Sequence, residues 1–284
     1  MEKIAILTDS TADLPKELRE LEEVFVMPLY VNLNGKYYKD EIDINLDEVN
    51  KFNELNKDNL AKSSAPSPGD FKEMFDKIFD QGFTKILCFT VSSGLSATHQ
   101  ICEMVASEYE NIKVYDTKLA SIGEGLFVSF ASQLIRGGED FSYICQKIEE
   151  TKANKKLYIW LDSLTNLKKG GRAGGIFAKT AGILDLKPEL MLNEEGKIAL
   201  IKLKRKETKA LSDIIERVRE DLKGCKKYYL GLVYGKNENI GEIFEKEARD
   251  LVEKSQGYHK TVLGSVIGVH AGSKAFAVVY LKVE

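Results

Sequence analysis

Residues 85–109 read KILCFTVSSGLSATHQICEMVASEY and contain the three parts of one α/β unit in a row. An apolar stretch of strand length leads into a turn rich in serine, glycine and threonine, and an amphipathic helical pattern follows at 96–109. The turn could hold a nucleophile, a phosphate group or another oxygen-rich ligand. The choice among these three depends on what the rest of the chain supplies.

The same order of strand, turn and helix recurs through the first half of the chain. Strand patterns at 3–8, 24–33, 85–91, 113–115 and 157–161 are separated by helical patterns at 68–80, 96–109, 119–137 and 141–153. Such alternation is typical of a mostly parallel sheet that is covered by helices. The sequence therefore predicts an α/β fold for the first half.

The amino-acid composition of the chain changes after Leu161. The stretch LTNLKKGGRAGG is basic and glycine-rich, which is typical of a connector or a surface loop. Residues 188–206 predict a β-hairpin with Glu195-Gly196 at its turn, and the last 25 residues predict two strands joined by a turn at 270–274. We expect two α/β domains, residues 1–162 with the serine-rich loops and residues 163–284 with the basic loop and the hairpins.

Composition limits the classes of function. The chain has 284 residues, 43% of them hydrophobic and 30% charged, which is ordinary for a globular protein. A net charge of −3 gives no basic footprint for nucleic acid, and no apolar run approaches the 18 residues that a membrane span needs. The four cysteines are scattered and the N-terminus opens a strand, so we expect free thiols and a cytoplasmic protein.

Catalytic and metal-binding patterns are weak. The serine elbow G-x-S-x-G is absent, because Ser93-Gly94-Leu95-Ser96-Ala97 has its glycine in the wrong place, and no spacing supports a base for Ser93. Neither glycine-rich phosphate motif occurs. Strand-end carboxylates lack accompanying histidines. The sequence therefore predicts no catalytic residue, no metal and no cofactor.

Two pairs of serines, Ser63-Ser64 and Ser92-Ser93, exceed what helix capping requires. Single serines such as Ser67 and Ser96 are explained as N-caps, but a cap needs one hydroxyl and not two. Hydroxyl groups at a helix N-terminus provide neutral donors beside the positive end of the helix dipole. That combination suits a carboxylate, and we expect the two loops to share one acidic ligand.

Seven motifs in order resemble the DegV family of bacterial fatty-acid-binding proteins and cover essentially the whole chain. They are ILTDSTADLP, SSAPSPGDF, TVSSGLSATHQ, YDTKLASIGEGL, LDSLTNLKKGGRAG, NEEGKI and VIGVHAG. The resemblance implies a long-chain fatty acid buried between two α/β domains. FakB-like members present this acid to a fatty acid kinase, which forms an acyl phosphate for phospholipid synthesis. It also implies no nucleic acid partner and no membrane span, and it allows transient contact with a membrane surface.

The resemblance also assigns roles to individual residues. It implies that Ser63 and Ser93 hold the carboxylate, and the ligand-binding set that we carry forward is Ser63, Ser64, Ser92, Ser93 and His270. Arg172 and Arg205 would serve kinase docking or contact the phosphorylated product.

One departure from the family pattern bears on His270. The terminal turn reads VHAGSKA at 269–275 and lacks the family's neighbouring threonines and its Gly-Pro-Gly. Two alternatives therefore stay open. One is a hydrolase or acyl-group enzyme that uses Ser93 with His270, and the other is a lipid-binding regulatory module without a kinase partner.

Overall fold

A computed structural model of the chain describes residues 2–173, 176, 187–204 and 207–284. The strands are β1 (Ile4–Asp9), β2 (Val24–Met27), β3 (Tyr30–Leu33), β4 (Lys36–Lys39), β5 (Lys62–Ser64), β6 (Lys85–Thr90), β7 (Ile112–Asp116), β8 (Lys155–Trp160), β9 (Lys187–Leu192), β10 (Ile198–Lys204), β11 (Tyr228–Tyr234), β12 (Gly257–Val262) and β13 (Phe276–Lys282). The α-helices are α1 (Lys16–Arg19), α2 (Leu46–Leu55), α3 (Pro68–Asp80), α4 (Thr98–Ala106), α5 (Ile122–Arg136), α6 (Phe141–Thr151), α7 (Thr165–Lys169), α8 (Glu207–Asp221), α9 (Asn239–Glu247), α10 (Arg249–Lys254) and α11 (Ser265–Ala271).

The first sheet has the strand order β2-β1-β6-β7, and all of its neighbours are parallel. Its central strands are apolar on both faces, as expected for a parallel sheet between helices. In β1, Ala5 and Leu7 belong to the core beneath α3 and α4, whereas Ile4 and Ile6 belong to the core on the side of α5. Alternate residues of a strand point to opposite faces, so one short strand supplies two core layers.

The second sheet is mixed and has the order β10-β9-β8-β13-β11-β12. One of its faces, which includes Trp160 and Val278, packs under α8 and α9. The opposite face, which includes Leu157 and Val279, joins the same core as the inner face of the first sheet. Side-chain alternation thus directs residues of both sheets into one shared interior.

Helix α5 lies in this interior and contacts strands of both sheets. Its residues are buried nearly all around, so it is a core helix. Gly125 allows this packing, because a Cβ atom there would come within 2.9 Å of Leu14. Gly123 does the same on the side of Val279, at 3.2 Å. These glycines therefore serve close helix packing between the two sheets.

A third, small antiparallel sheet, β4-β3-β5, lies beside the larger ones. Leu29, Val31 and Val49 form an apolar cluster with Val266 and Val269 of α11. The small sheet and α2 therefore cover one side of α11, which matters because α11 carries His270.

The structure confirms the predicted α/β class and the predicted hairpin. Strands β9 and β10 pair antiparallel, and Gly196 at their turn has a φ of +71°. The expected division at residue 162 stays a prediction. Because β8 pairs with β13 inside the second sheet, we favour a boundary that precedes β8. Within the described ranges, no helix is long and apolar enough to cross a membrane.

Two predicted strands were wrong. The pattern at 24–33 forms two strands in different sheets, because Pro28 cannot donate to a ladder and the chain turns away there. The predicted terminal hairpin with a turn at 270–274 is also wrong, since residues 265–271 form α11. Valine, isoleucine and glycine in this segment favour extended structure locally. Packing of Val266 and Val269, three residues apart, stabilises the helix instead.

Two buried carboxyl groups, those of Asp9 and Glu124, lie on either side of Thr11 Oγ1. Glu124 Oε1 accepts hydrogen bonds from Thr8 Oγ1 and from the Asp9 amide, and Thr11 Oγ1 lies 2.5 Å from Asp9 Oδ1 and 3.3 Å from Glu124 Oε2. Burial raises the pKa of Asp9 to about 6, although its hydrogen bonds partly offset the effect. Burial and the neighbouring Asp9 raise the pKa of Glu124 well above its usual value. The folded protein therefore holds protons here that the unfolded chain has already released.

We predict that the free energy of unfolding of Glu124→Gln increases relative to that of the wild type as the pH rises. A group with a raised pKa in the folded state stabilises at low pH and loses that contribution as the pH passes through the folded pKa. The glutamine amide can donate to Thr11 Oγ1 and needs no proton. Urea unfolding of both proteins at pH 5 and pH 8 measures the difference, with the exposed Glu20→Gln as control. A stability difference that is the same at both pH values would contradict the prediction.

Candidate ligand-binding site

A cavity of about 110 Å³ lies between the two larger sheets. Most of its walls are apolar, and residues near β8 and in the β9–β10 hairpin contribute Leu157, Ile159, Leu161, Leu190, Leu192 and Ile198. Small-molecule sites are typically apolar with a few placed polar groups. The cavity therefore suits a largely hydrocarbon ligand.

One end of the cavity is polar. Ser63 Oγ of β5 and His270 Nε2 of α11 are 2.8 Å apart, and both residues line the cavity together with Arg172. His270 Nδ1 is buried and has no hydrogen-bond partner within the described part of the chain. A buried polar atom without a partner costs free energy. Ser63, His270 and Arg172 therefore provide the polar groups at this end of the cavity.

His270 is neutral at physiological pH. Burial and the nearby positive charge of Arg172 lower the pKa of His270 to about 4. A neutral imidazole has one donating and one accepting nitrogen. Nε2 pairs with Ser63 Oγ, whereas Nδ1 faces the backbone of Gly170. The end of the cavity therefore combines neutral hydrogen-bonding groups with one cationic guanidinium, a set that suits a carboxyl group.

Gly170, two residues before Arg172, makes room for the histidine. A Cβ atom at Gly170 would overlap His270 Nδ1 and would lie 3.0 Å from Cε1. The backbone of Gly170 has a φ of −78°, which any residue can adopt, so the close approach and not the backbone conformation requires glycine. The motif KGGR thus positions His270 by leaving space for its ring.

Three further hydroxyl groups line the cavity, from Thr11, Ser96 and Ser121. Ser121 Oγ donates to Asp13, and Ser96 Oγ pairs with Thr98 Oγ1 at 2.8 Å. Ser96 is predicted above as an N-cap, and neither Thr11 nor Ser121 is among the predicted site residues. Their placement directly after strands or before a helix was the available signal.

The paired serines have different surroundings. Ser63 lines the cavity, whereas Ser64, the next residue on β5, does not. Ser92 Oγ donates to the Gly196 carbonyl oxygen at 2.9 Å and so fixes the hairpin turn to the serine loop. Ser93 Oγ accepts a hydrogen bond from Lys118 Nζ at 2.7 Å. The structure thus brings Ser63 and His270 together, and it places Ser92 and Ser93 outside the cavity lining.

The two predicted partner residues have different outcomes. Arg172 Nε donates to the Leu95 carbonyl at 3.0 Å and Nη1 to that of Gly170 at 2.7 Å, so the side chain joins the serine loop to the KGGR segment. Arg205 lies outside the described residues. Across the described ranges, no three His, Cys, Asp or Glu side chains form a group that could hold a metal ion.

The fold and the cavity define an α/β protein with an internal apolar site that is polar at one end. The family model described as "Uncharacterised protein, DegV family" matches residues 3–283. A DegV domain-containing protein from Clostridium acetobutylicum is 32% identical over 286 residues, which cover 99% of this chain and 100% of that protein. The chain belongs to the DegV family.

Two solved structures have the same fold as this chain. The structure of a fatty-acid-binding DegV family protein from Thermus thermophilus matches with a TM-score of 0.89 at 30% identity and covers 99% of both chains. A stearic acid-binding protein from Eubacterium ventriosum matches with a TM-score of 0.87 at 26% identity and covers 99% of this chain and 98% of its own.

We predict that Gly170→Ala displaces the ring of His270 and raises the pKa of His270 from about 4 toward its ordinary value of 6.5. The added methyl group would occupy the position of Nδ1, and the ring would move into less buried surroundings. NMR titration of the histidine Cε1 protons measures this pKa. Gly69→Ala is the control, since the nearest atom to a Cβ there is 3.7 Å away. An unchanged pKa in Gly170→Ala would show that the close approach is not limiting.

Proposed function

We propose that the chain binds a long-chain fatty acid in this cavity and presents its carboxyl group to a fatty acid kinase. The observation that carries the proposal is the apolar cavity whose lining includes the hydrogen-bonded pair Ser63 and His270 together with Arg172. The relatives from Thermus thermophilus and Eubacterium ventriosum support the ligand class, because both bind fatty acids.

Affinity and orientation would come from different parts of the ligand. Burial of an acyl tail gains about 0.8 kcal/mol per CH₂, so roughly sixteen carbons give on the order of 12 kcal/mol before the costs of binding. The carboxyl group adds less, because its hydrogen bonds replace bonds to water. Its contacts with Ser63 and His270 would instead fix the direction in which the acid lies.

The proposed kinase step rests on the family resemblance and on the charge of Arg172. An acyl phosphate carries more negative charge than a carboxylate, and a guanidinium is a favourable partner for phosphate. Arg172 lies at the polar end of the cavity, where the carboxyl group would be phosphorylated. Arg205 is proposed to assist it on the strength of the resemblance alone.

The two rival functions make different demands. An enzyme that uses Ser93 with His270 needs the two side chains in hydrogen-bond reach. Among the described residues, Ser93 Oγ bonds to Lys118 and His270 Nε2 bonds to Ser63.

Labelling of Ser93 by a fluorophosphonate probe, lost in Ser93→Ala, would support the enzyme. Lipid binding without acyl-phosphate formation by any fatty acid kinase would support the regulatory module.

Ser63→Ala is expected to weaken fatty acid binding by about 1–3 kcal/mol, because it leaves His270 Nε2 and one carboxyl oxygen without a partner. Delipidated protein is reloaded with palmitic acid, and retained ligand is quantified by mass spectrometry after denaturation. Ser129→Ala is a matched control, since Ser129 Oγ also lies 2.8 Å from a histidine, His259 Nε2, away from this cavity. Wild-type protein that never retains a long-chain acid would overturn the proposed function.

Arg172→Ala is expected to keep fatty acid retention within about 3-fold of wild type while acyl-phosphate formation falls by about 10-fold or more. The reason is that hydrocarbon burial holds the acid, whereas the guanidinium acts on the phosphorylated group. A bacterial fatty acid kinase and ATP form the acyl phosphate. Hydroxylamine then converts the acyl phosphate to a hydroxamate, which is measured. Arg136→Ala, on the exposed end of α5, is the control. Lost retention with normal turnover would reverse the roles assigned here.

A further inference from the structure

A groove of about 770 Å³ lies between β7, the end of α6 and the β9–β10 hairpin. Lys155, the first residue of β8, is one of the residues that line it. The other charged residues along the groove include Glu103 of α4, Asp116 and Lys118 at the end of β7, Glu149 and Lys152 at the end of α6, and Glu194 of the hairpin. Because the side of Lys155 that faces the groove is open, a small molecule can approach it from solvent.

The side chain of Lys155 lies on the inner face of β8. Lys155 and Leu157 are two positions apart on the strand, so they share the face that packs toward α5. In agreement, Lys155 Nζ lies 5.9 Å from the centre of the Phe127 ring of α5. Lys156 faces the opposite side, where its Nζ pairs with Asp221 of α8 at 2.8 Å. Lys155 is therefore a partly buried amine at the margin of the core.

Lys155 lacks the carboxylate partner that its lysine neighbours have. Lys118 Nζ lies 2.7 Å from Asp116 Oδ2, and Lys152 forms an ion pair with Glu149. Across the described ranges, no carboxylate lies within ion-pair distance of Lys155 Nζ, which donates instead to the carbonyl oxygen of Lys152. A carbonyl oxygen is uncharged, so it cannot balance the charge of an ammonium group. The partly buried amine of Lys155 therefore has no direct counter-ion.

These surroundings favour the uncharged form of the amine. Burial lowers the pKa of Lys155 to about 8. The charge of Asp116 opposes this shift, whereas the charges of Lys118 and Lys152 add to it. At pH 7.5 roughly a quarter of Lys155 is then uncharged, compared with about one in a thousand for a lysine with an ordinary pKa. Only the uncharged amine has a lone pair that can attack a carbonyl carbon.

We propose that Lys155 is a site of covalent acylation by acyl phosphates. The uncharged Nζ attacks the carbonyl carbon, a C–N bond forms, and the bond between that carbon and the phosphate oxygen breaks. The phosphate leaves with the bonding electron pair as inorganic phosphate, and the amine proton passes to water. Lys118 and Lys152 flank the amine, and their positive charges attract the phosphate group. Because Lys155 is not part of the cavity lining, this reaction is separate from fatty acid binding.

The test treats wild-type protein with acetyl phosphate and locates the acetyl groups by tandem mass spectrometry. At pH 7.5 Lys155 should be acetylated about 10-fold faster than Lys156, since its larger uncharged fraction outweighs its lower basicity. The rate at Lys155 should level off above about pH 8, where the amine is mostly uncharged, while the rate at Lys156 keeps rising. Lys156 is the internal control, because it is the adjacent residue and meets the same reagent.

Two variants test the role of the flanking charge. Lys152→Gln removes one positive neighbour and should slow acetylation of Lys155 at pH 7.5 by about 2-fold. Lys147→Gln is the matched control, because Lys147 also pairs with a glutamate three positions away, Glu150, and lies outside the groove. Equal rates at Lys155 and Lys156, or equal effects of the two substitutions, would overturn the proposal. Since the assay contains no fatty acid and no kinase, its outcome is independent of the proposed function.

Discussion

The fold depends on one physical constraint, the alternation of side chains along the strands of two sheets that share an interior. Ile4 and Ile6 of β1 point to the same space as Leu157 of β8 and Val279 of β13. Helix α5 fills part of that space and needs glycine to do so. Beyond α5, side chains of β8, of the β9–β10 hairpin, of α11 and of β13 line the cavity. The cavity is therefore a consequence of how the two sheets are spaced.

The polar end of the cavity depends on elements that are far apart in the sequence. Ser63 belongs to the small sheet and His270 to α11, and 207 positions separate them. The valines of α11 hold it against the small sheet, while Gly170 leaves room for the imidazole ring. Burial keeps the pKa of His270 low, so the histidine acts as a neutral hydrogen-bonding group. Ser63 and His270 thus offer a carboxyl group uncharged hydrogen-bonding partners, while Arg172 supplies the positive charge at this end of the cavity.

Much of the fold could be predicted because its signals are local. Continuous apolar stretches of strand length located β1 and β6, and Glu195-Gly196 located the β9–β10 turn. The prediction failed at 265–271, where valine, isoleucine and glycine indicate a strand and contacts with the small sheet produce a helix. It also missed Ser121, which lines the cavity. The φ of Ser121 is +55°, and no local sequence pattern indicates it.

The sequence by itself determined the α/β class, the hairpin and the hydroxyl-rich turns after strands, because each of these follows from short-range periodicity or turn chemistry. It also indicated that the stretch at 89–100 lacks the base of a nucleophile and the glycines of a phosphate loop. Only the tertiary structure decided that Ser63 lines the cavity while Ser64 does not, and that Ser92 binds the hairpin turn. The reason is that neighbouring residues of a strand face opposite sides, so a side chain's surroundings depend on which elements pack there.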